Sequence, residues 1–272
     1  MSKKSIPLLF LLFVLIQGCV QNNQHAENNL EKAEAIFNNG EFEKALTYAN
    51  QLIEKDSSDY VSWTLKARAL FNIGKQEEGL KAINEAININ PEYSKAYGFR
   101  AVMLNLNGMH NLKQIISDLD IALFDDPENI ELINIKAGIF YKTGQFKKAK
   151  SEYNKLLYLD STDSKAIVYR ASTHKKLGYS GMALEGYNLS IEIDPNQILA
   201  YDERANFYIE QEEYGKAISD YNKVIEFISS TQDFQQIKAY SLNNRGFAYL
   251  KFGDLEKALV DINSSIKLLP TN

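Results

Sequence analysis

Apolar residues along most of this chain recur at i, i+3, i+4 and i+7, the period of a helix with one buried stripe. The stretch Ala239, Leu242, Gly246, Tyr249, then Leu255, Ala258, Ile262, Ile266 shows two such stripes, interrupted at Gly253. A glycine between two helical stripes marks a tight turn, so each couple predicts two antiparallel helices. The couple repeats. A small residue stands at Ala33, Ala67, Ala101, Ala137, Ala171, Ala205 and Gly246, at spacings of 34, 34, 36, 34, 34 and 41 residues. A second series, with the same spacings, is Ala45, Gly79, Ile115, Ala149, Ala183, Ala217 and Ala258. A third is Gly40, Gly74, Gly108, Gly144, Gly178 and Gly253, with Glu212 standing where one more glycine would fall. Pro91, Pro127, Pro195 and Pro270 share one phase, where proline restricts the residue before it and stops the second helix. Residues 26–272 thus divide into repeats 26–59, 60–93, 94–129, 130–163, 164–197, 198–231 and 239–272. The small residues are required where the helices of a pair cross, since a larger side chain there overpacks at about 1–3 kcal/mol.

Two repeats depart from the period. The third carries two extra residues in its turn, around Met109 to Asn111, and Ile115 replaces the small residue, so a slightly splayed pair is expected. Between the sixth and seventh, Ser229 to Lys238 adds seven residues, including Phe234 and Ile237. Apolar residues there predict longer flanking helices rather than an open loop, with a local change of superhelical angle.

The first residues do not follow the repeat. Lys3 and Lys4 precede an unbroken apolar run from Ile6 to Ile16, followed by Gln17, Gly18 and Cys19. Eleven residues are too few to span a bilayer, which takes about 20 in a helix. A basic start, a short apolar run and a small residue before the cut read as a secretory signal. The sequence Ile16-Gln17-Gly18-Cys19 resembles the lipobox of bacterial lipoproteins, although Gln17 is less usual there than Ala or Ser. That resemblance implies a signal peptide over 1–18, acylation of Cys19, and a polar tether over 19–25. Each buried CH₂ contributes about 0.8 kcal/mol, so two or three acyl chains hold a protein on a membrane. The residues Val20-Gln21-Asn22-Asn23-Gln24 lack the Asp associated with inner-membrane retention and the acidic cluster associated with surface export. The expected address is the periplasmic leaflet of an outer membrane, with the inner membrane or cell surface as alternatives.

The composition, 45% hydrophobic and 24% charged, excludes a disordered chain and a polytopic membrane protein. Lys plus Arg number 30 against 35 acids, a net charge of -5 with no long basic run, so nucleic acid is not an expected partner. The single cysteine allows neither an internal disulfide nor a thiolate zinc cage. His25, His110 and His174 fall in different parts of the chain, and His174 shares the phase of Phe140 and Tyr208, which reads as packing rather than metal ligation. Gly178-Tyr179-Ser180-Gly181-Met182 lacks the last glycine of a nucleophile elbow and falls on a helix-pair turn. No cofactor, metal or catalytic group is expected, and the chain does not read as an enzyme.

One charge pattern recurs. A base precedes the first small residue of every repeat: Lys32, Lys66, Arg100, Lys136, Arg170, Arg204 and Arg245. An acid follows the second small position by three residues at Asp118, Glu152, Asp220 and Asp261. Acids accompanying bases predict ion pairs between the two helices of a repeat. The sharper reading is a cationic ladder for an extended anionic partner.

The pattern resembles the tetratricopeptide repeat family, in which aromatic, small, Gly, Ala and Pro residues hold fixed positions. The sixth repeat carries Tyr201, Ala205, Tyr208, Tyr214, Ala217 and Tyr221, and the second Trp63, Ala67, Gly74, Ala86 and Pro91. The resemblance implies an all-α fold, a right-handed α-solenoid of seven helix pairs whose first helices line a concave groove, and it implies no reaction. On this chain the groove phases hold Arg68, Asn72, Asn105, Asn134, Tyr141, Lys142, Lys165, Ser172, Lys175, Lys176, Asp202, Asn206, Tyr240, Asn243 and Lys251. Asn offers both donor and acceptor to a peptide backbone, and Tyr adds area with a polar end, so a segment of another protein is the expected partner. Leu30 and Glu34, or Asn134 and Gly138, do not reproduce the carboxylate clamp of the chaperone-binding members. Repeat arrays usually close on a polar capping helix, so Ile262, Ile266, Leu268 and Leu269 are a candidate self-association surface and a homo-oligomer a possible assembly.

Overall fold

The structure is a computed structural model that describes residues 31–108, 111–228 and 234–269. Cys19, the signal and tether, His25, His110, Met109 and Pro270 lie outside the described residues. Within them the chain is all α-helix, fourteen helices in seven consecutive pairs. The chain divides into two compact units, residues 1–127 and 128–272.

In the first unit, α1 (31–38) pairs with α2 (Phe42–Lys55), α3 (Tyr60–Asn72) with α4 (Gln76–Ile89), and α5 (Ser94–Leu106) with α6 (Leu112–Asp125). In the second, α7 (Ile130–Lys142) pairs with α8 (Phe146–Leu159), and α9 (Ser164–Lys176) with α10 (Ser180–Ile193). The remaining pairs are α11 (Ile198–Glu210) with α12 (Tyr214–Ile228), and α13 (Gln235–Phe252) with α14 (Leu255–Leu268).

Each element follows from its local sequence. The turn inside every pair needs one left-handed residue, and Gly40, Gly74, Gly108, Gly144, Gly178 and Gly253 all take positive φ there. Glu212 takes φ 60 at the same place, a backbone state that glycine adopts without the Cβ penalty. Asp59, Asn129 and Asp163 cap α3, α7 and α9 by accepting backbone N–H bonds in the first turn. Asn111, in the third repeat's insertion, does the same for α6. Asp56, Asn90, Asp160 and Asp194 follow the second helices, and each accepts the backbone N–H two residues on, closing the turn to the next repeat.

The small-residue series are the buried seam of each pair. Ala33, Ala67, Ala101, Ala137 and Ala205 are completely buried, and so are Ala45, Ala149, Ala183 and Ala217. A Cβ at Gly79 would meet the Ala67 carbonyl oxygen at 3.0 Å, and one at Gly246 would meet Ile262 Cγ1 at 2.9 Å. Ile115 is also wholly buried, so the third pair accommodates a large residue where the others need a small one. The insertion before the last pair extends α13 to 18 residues, against 13 in α11, by adding about one turn at its N-terminus. Residues 229–233 of that insertion lie outside the described residues, while Phe234 and Ile237 are exposed.

Candidate functional site

The recurrent bases settle first. Arg100 donates from Nε and Nη2 to Asp118, both at 2.7 Å, Arg204 to Asp220 at 2.8 Å each, and Arg245 to Asp261 at 2.7 and 2.8 Å. In each case Nη1 reaches an Asn of the preceding repeat: Asn84 at 2.8 Å, Asn188 at 2.6 Å and Asn222 at 2.7 Å. Lys136 meets Glu152 at 3.7 Å. Asp118, Asp220 and Asp261 are buried, and their carboxylates raise the pKa of the arginines they hold. These bases are consumed between helices, so the expected ion pairs form, and no cationic ladder is offered there to a partner. Their bidentate, buried geometry makes them stronger than the surface pairs they resemble in sequence.

The face made by the first helices differs. In the second unit, Lys175 on α9 lies 3.1 Å from Glu210 and 3.9 Å from Glu203, both on α11. On α11, Asn206 donates to Asp202 at 3.2 Å and accepts from the Tyr221 hydroxyl at 2.7 Å and from Asn244 of α13 at 3.3 Å. Burial, and then the neighbouring Glu203 charge, push the Asp202 carboxyl up to about 6, with the Asn206 hydrogen bond and Lys175 opposing. Tyr141 is half-buried, and desolvation with Glu203 nearby raises its phenol. The result is a row of carboxylates on α11 with one captive lysine. Around it Asn134, Lys142, Lys165, Lys176 and Asn243 are exposed, and Tyr240 is 60% exposed.

Four predicted groove residues serve the fold instead. Ser172 is buried, sharing a 3.1 Å hydrogen bond with the buried Tyr187 hydroxyl, so it offers nothing to a ligand. Lys175 is neutralised by α11, and Asn206 is occupied by three side chains. In the first unit Arg68 is sandwiched between Phe37 and Phe99, 4.2 and 4.6 Å from their ring centroids, and is paired to Glu34 at 2.6 Å. Beside it Asn72 is exposed and donates to the Arg68 carbonyl, and Asn105 is half-buried. Phe247 and Leu250, absent from the predicted groove set, are 39% and 47% exposed on α13. They share the phases of Asn206 and Lys175, so position alone marks them, and choosing polar residues missed them.

Among the self-association candidates, Ile266 is 55% exposed, whereas Ile262 is half-buried against Gly246 of its own pair, and Leu268 and Leu269 are half-buried. The exposed apolar residues of α14 are Leu255, Leu259 and Val260 together with Ile266. His174 is half-buried with its ring edge-on to Tyr179, and burial with Arg170 and Lys150 lowers its pKa. Among the described residues no three His, Cys, Asp or Glu side chains converge as metal ligands, and no helix is long and apolar enough to cross a membrane.

A family profile described as the Psidin N-terminal TPR repeats region matches residues 34–169, half of the chain, and one described as a tetratricopeptide repeat matches residues 198–230. The chain is 24% identical over 115 residues to Protein STIP1 homolog of Dictyostelium discoideum, which is 41% of this chain and 20% of that protein. It is 26% identical over 126 residues to signal recognition particle subunit SRP72 of Caenorhabditis elegans, 46% of this chain and 19% of that protein. The chain thus spans about a fifth of the length of these curated relatives. Among solved structures, the C-terminal part of a TPR repeat-containing protein from Cytophaga hutchinsonii superposes with a TM-score of 0.67 at 19% identity, over 89% of this chain and 96% of that one. A tetratricopeptide repeat protein from Parabacteroides merdae gives 0.64 at 20% identity, over 90% and 94%. PilW, a type IV pilus biogenesis factor, gives 0.64 at 17% identity, over 80% and 96%. At these identities the structural likeness is one of fold. With the profile match over half its length and seven helix pairs turning on the same left-handed residue, the chain belongs to the tetratricopeptide repeat family.

Proposed function

We propose that this protein is a lipid-anchored adaptor of the bacterial cell envelope, held by an acylated Cys19 on the periplasmic leaflet of the outer membrane, whose first-helix face binds a segment of another envelope protein. The observation that carries the binding reading is the division of labour among its charges. Arg100, Arg204 and Arg245 are locked to aspartates, while the face of α9, α11 and α13 exposes Lys176, Tyr240 and Asn243 beside the carboxylates of Asp202, Glu203 and Glu210. Such a face suits an extended segment that sets a basic residue over α11 and main-chain groups over the amides and tyrosines. The mechanism is recruitment: the lipid fixes position and the groove adds a contact of micromolar strength, about -8 kcal/mol. The tether and the two residues after it, Val20 to Glu27, make about eight residues and reach at most roughly 28 Å, which keeps the start of the first repeat close to the bilayer.

Two measurements test it. Cells fed an alkyne analogue of palmitate should label the wild type and not Cys19→Ser; equal labelling would remove the anchor. A photo-crosslinking amino acid placed at Lys176 or Tyr240 should yield a discrete adduct with one envelope protein, and at Tyr158, which is 89% exposed on the second helix α8, should not. Lys142→Glu with Lys176→Glu and Asn243→Ala should abolish the adduct formed from Tyr240. Adducts that form equally from Tyr158, or that persist in the triple variant, would refute the groove reading.

A second reading rests on α14, where Leu255, Leu259 and Val260 are 62–64% exposed beside Ile266. It makes the protein a self-associating envelope component. Sedimentation velocity of the Cys19→Ser protein separates the two: a dimer abolished by Leu259→Lys supports self-association, and a monomer at high concentration dismisses it.

A further inference from the structure

One arginine of the recurrent series lacks its lock, and its repeat carries a further site. In the third, sixth and seventh repeats the arginine before the first small residue is closed by an aspartate of the second helix, and the spacing is 16 residues in Arg204–Asp220 and Arg245–Asp261. The fifth repeat places Arg170 in this role, and the residue at the aspartate's position is Gly186. A Cβ there would meet Ala171 Cβ at 2.7 Å, so α10 sits on α9 too closely for the aspartate of the other repeats. What occupies the carboxylate's place is a cavity of about 190 Å³, lined by Arg170, His174, Met182, Glu185, Gly186 and Leu189.

Arg170 is left with half of the usual arrangement. Its Nη1 reaches Asn154 of the preceding repeat at 3.4 Å, and among the described residues it has no carboxylate within ion-pair distance. Glu185 is in the wall of the cavity and makes no ion pair with it. Lys150 adds positive potential on the same side, since burial and then the charges of Arg170 and Lys150 lower the His174 pKa. Burial lowers the Arg170 pKa, whereas aspartates raise those of Arg100, Arg204 and Arg245. Met182 and Leu189 are 56% and 41% exposed and form an apolar rim to the opening.

We propose that this notch binds a carboxylate supplied from outside the fold, which takes the two Arg170 N–H donors that an aspartate takes in the sister repeats. The ligand class is a monoanionic carboxylate on a short apolar neck: a small free acid, or the acidic side chain of a bound polypeptide. The sister repeats give the geometry, two parallel N–H···O bonds of 2.7–2.8 Å. The negative Glu185 in the wall opposes a dianion such as phosphate. The cavity is lined by the α9–α10 pair, and the site does not depend on the groove reading.

The test is a titration of the ¹⁵N-labelled Cys19→Ser protein, following the Arg170 side-chain Nε–H and the Gly186 amide by NMR. Propionate should shift both signals saturably, while propionamide, and chloride or phosphate at matched ionic strength, should not. N-acetylglutamate methylamide distinguishes the sources: saturation by it as well assigns the notch to polypeptide carboxylates, and saturation by propionate alone to small acids. Arg170→Gln, followed at Gly186, should weaken propionate binding at least tenfold. Ala171→Gly with Gly186→Asp should supply an internal carboxylate and abolish binding; if that variant does not fold, Arg170→Gln decides alone. Binding that persists in Arg170→Gln, or that appears only in Glu185→Gln because Glu185 already fills the site, would overturn the proposal, as would no saturable shift.

Discussion

Removing Asp220 is the most direct probe of how the repeats hold together. Its carboxylate accepts two bonds of 2.8 Å from Arg204, and the two side chains are 6% and 18% exposed. Asp220→Ala leaves a guanidinium that was desolvated for a partner it no longer has. Deleting one member of a buried pair costs about 3–5 kcal/mol. Two features place this case at the lower end, about 3 kcal/mol: the Asn188 bond at 2.6 Å survives, and Arg170 shows that an arginine here can stand beside an open notch without its acid. Asp220→Asn keeps an acceptor but loses the charge, and should cost about half as much, roughly 1.5 kcal/mol. Arg204→Met with Asp220→Leu should recover most of the loss, because neither desolvated charge remains.

Equilibrium urea unfolding followed by circular dichroism gives these differences, provided the slope with denaturant is unchanged between variants. Since repeats couple chiefly to their neighbours, amide exchange should speed most in α11 and α12. A buried pair is weakly screened, so 0.5 M salt should leave the Asp220→Ala difference in place. The exposed Lys223–Glu226 pair, at 2.9 Å, is the control, and Glu226→Gln should change stability by less than about 0.5 kcal/mol. An Asp220→Ala cost below about 1 kcal/mol, or one abolished by salt, would refute the claim that these pairs lock the repeats.

Glu212 holds a left-handed turn with a side chain, so Glu212→Gly should stabilise by about 0.5–1 kcal/mol, read as a rise in thermal midpoint; a fall would show that its side chain contributes to the turn. Asp202 has a native pKa near 6 against 3.8 unfolded, so the native state takes up the proton first and stability falls as pH rises from about 4 to 6. Asp202→Asn should remove that slope and be more stable than wild type at pH 7.5, by at most roughly 3 kcal/mol, with the difference vanishing below pH 4; equal urea midpoints at both pH values would contradict it. Lys175 opposes the rise at Asp202, so Lys175→Gln should move the Asp202 carboxyl above 6 in a carbon-detected NMR titration, and an unmoved titration would place Lys175 outside the cluster.

The fold was legible because each repeat states it again. A single glycine at a helix end is weak evidence; seven residues at one phase identify even the exception, and Glu212 takes the positive φ expected of the glycine it replaces. The ion pairs were legible for the same reason, since Arg204 and Asp220 lie in one repeat at a spacing two others share. Depth was not legible. Helical phase placed Ser172 on the inner face, but the Tyr187 hydroxyl that covers it comes from the partner helix. Arg68 has the phase of a groove residue, yet rings from the repeats before and after it enclose the guanidinium, and Phe99 is 31 residues away. Lys175 has the phase of an open groove lysine, yet Glu210, 35 residues on, is set 3.1 Å from it. These are contacts between repeats, and a period describes the positions within one.

The two charge systems differ in what a partner could take from them. Arg100, Arg204 and Arg245 each make two short bonds to a buried carboxylate, and displacing that carboxylate leaves a desolvated charge without its anion, so these locks do not exchange. Lys175 meets Glu210 in a pair whose acid is 55% exposed, and Glu203 only at 3.9 Å. A single contact to a half-exposed acid is weaker than a bidentate lock, so a cation on an incoming segment can share Glu210 while Lys175, itself only 13% exposed, keeps Glu203. Asp202 would gain most from the exchange: with a carboxyl raised to about 6 it is short of positive charge, and a bound cation would draw it back toward its ordinary range. That differential is what a binding face needs, because a contact contributes affinity only when it is better with the partner than without it. In the second unit the bidentate pairs therefore hold geometry, while the single-contact pairs between α9 and α11 leave carboxylates that a partner can use.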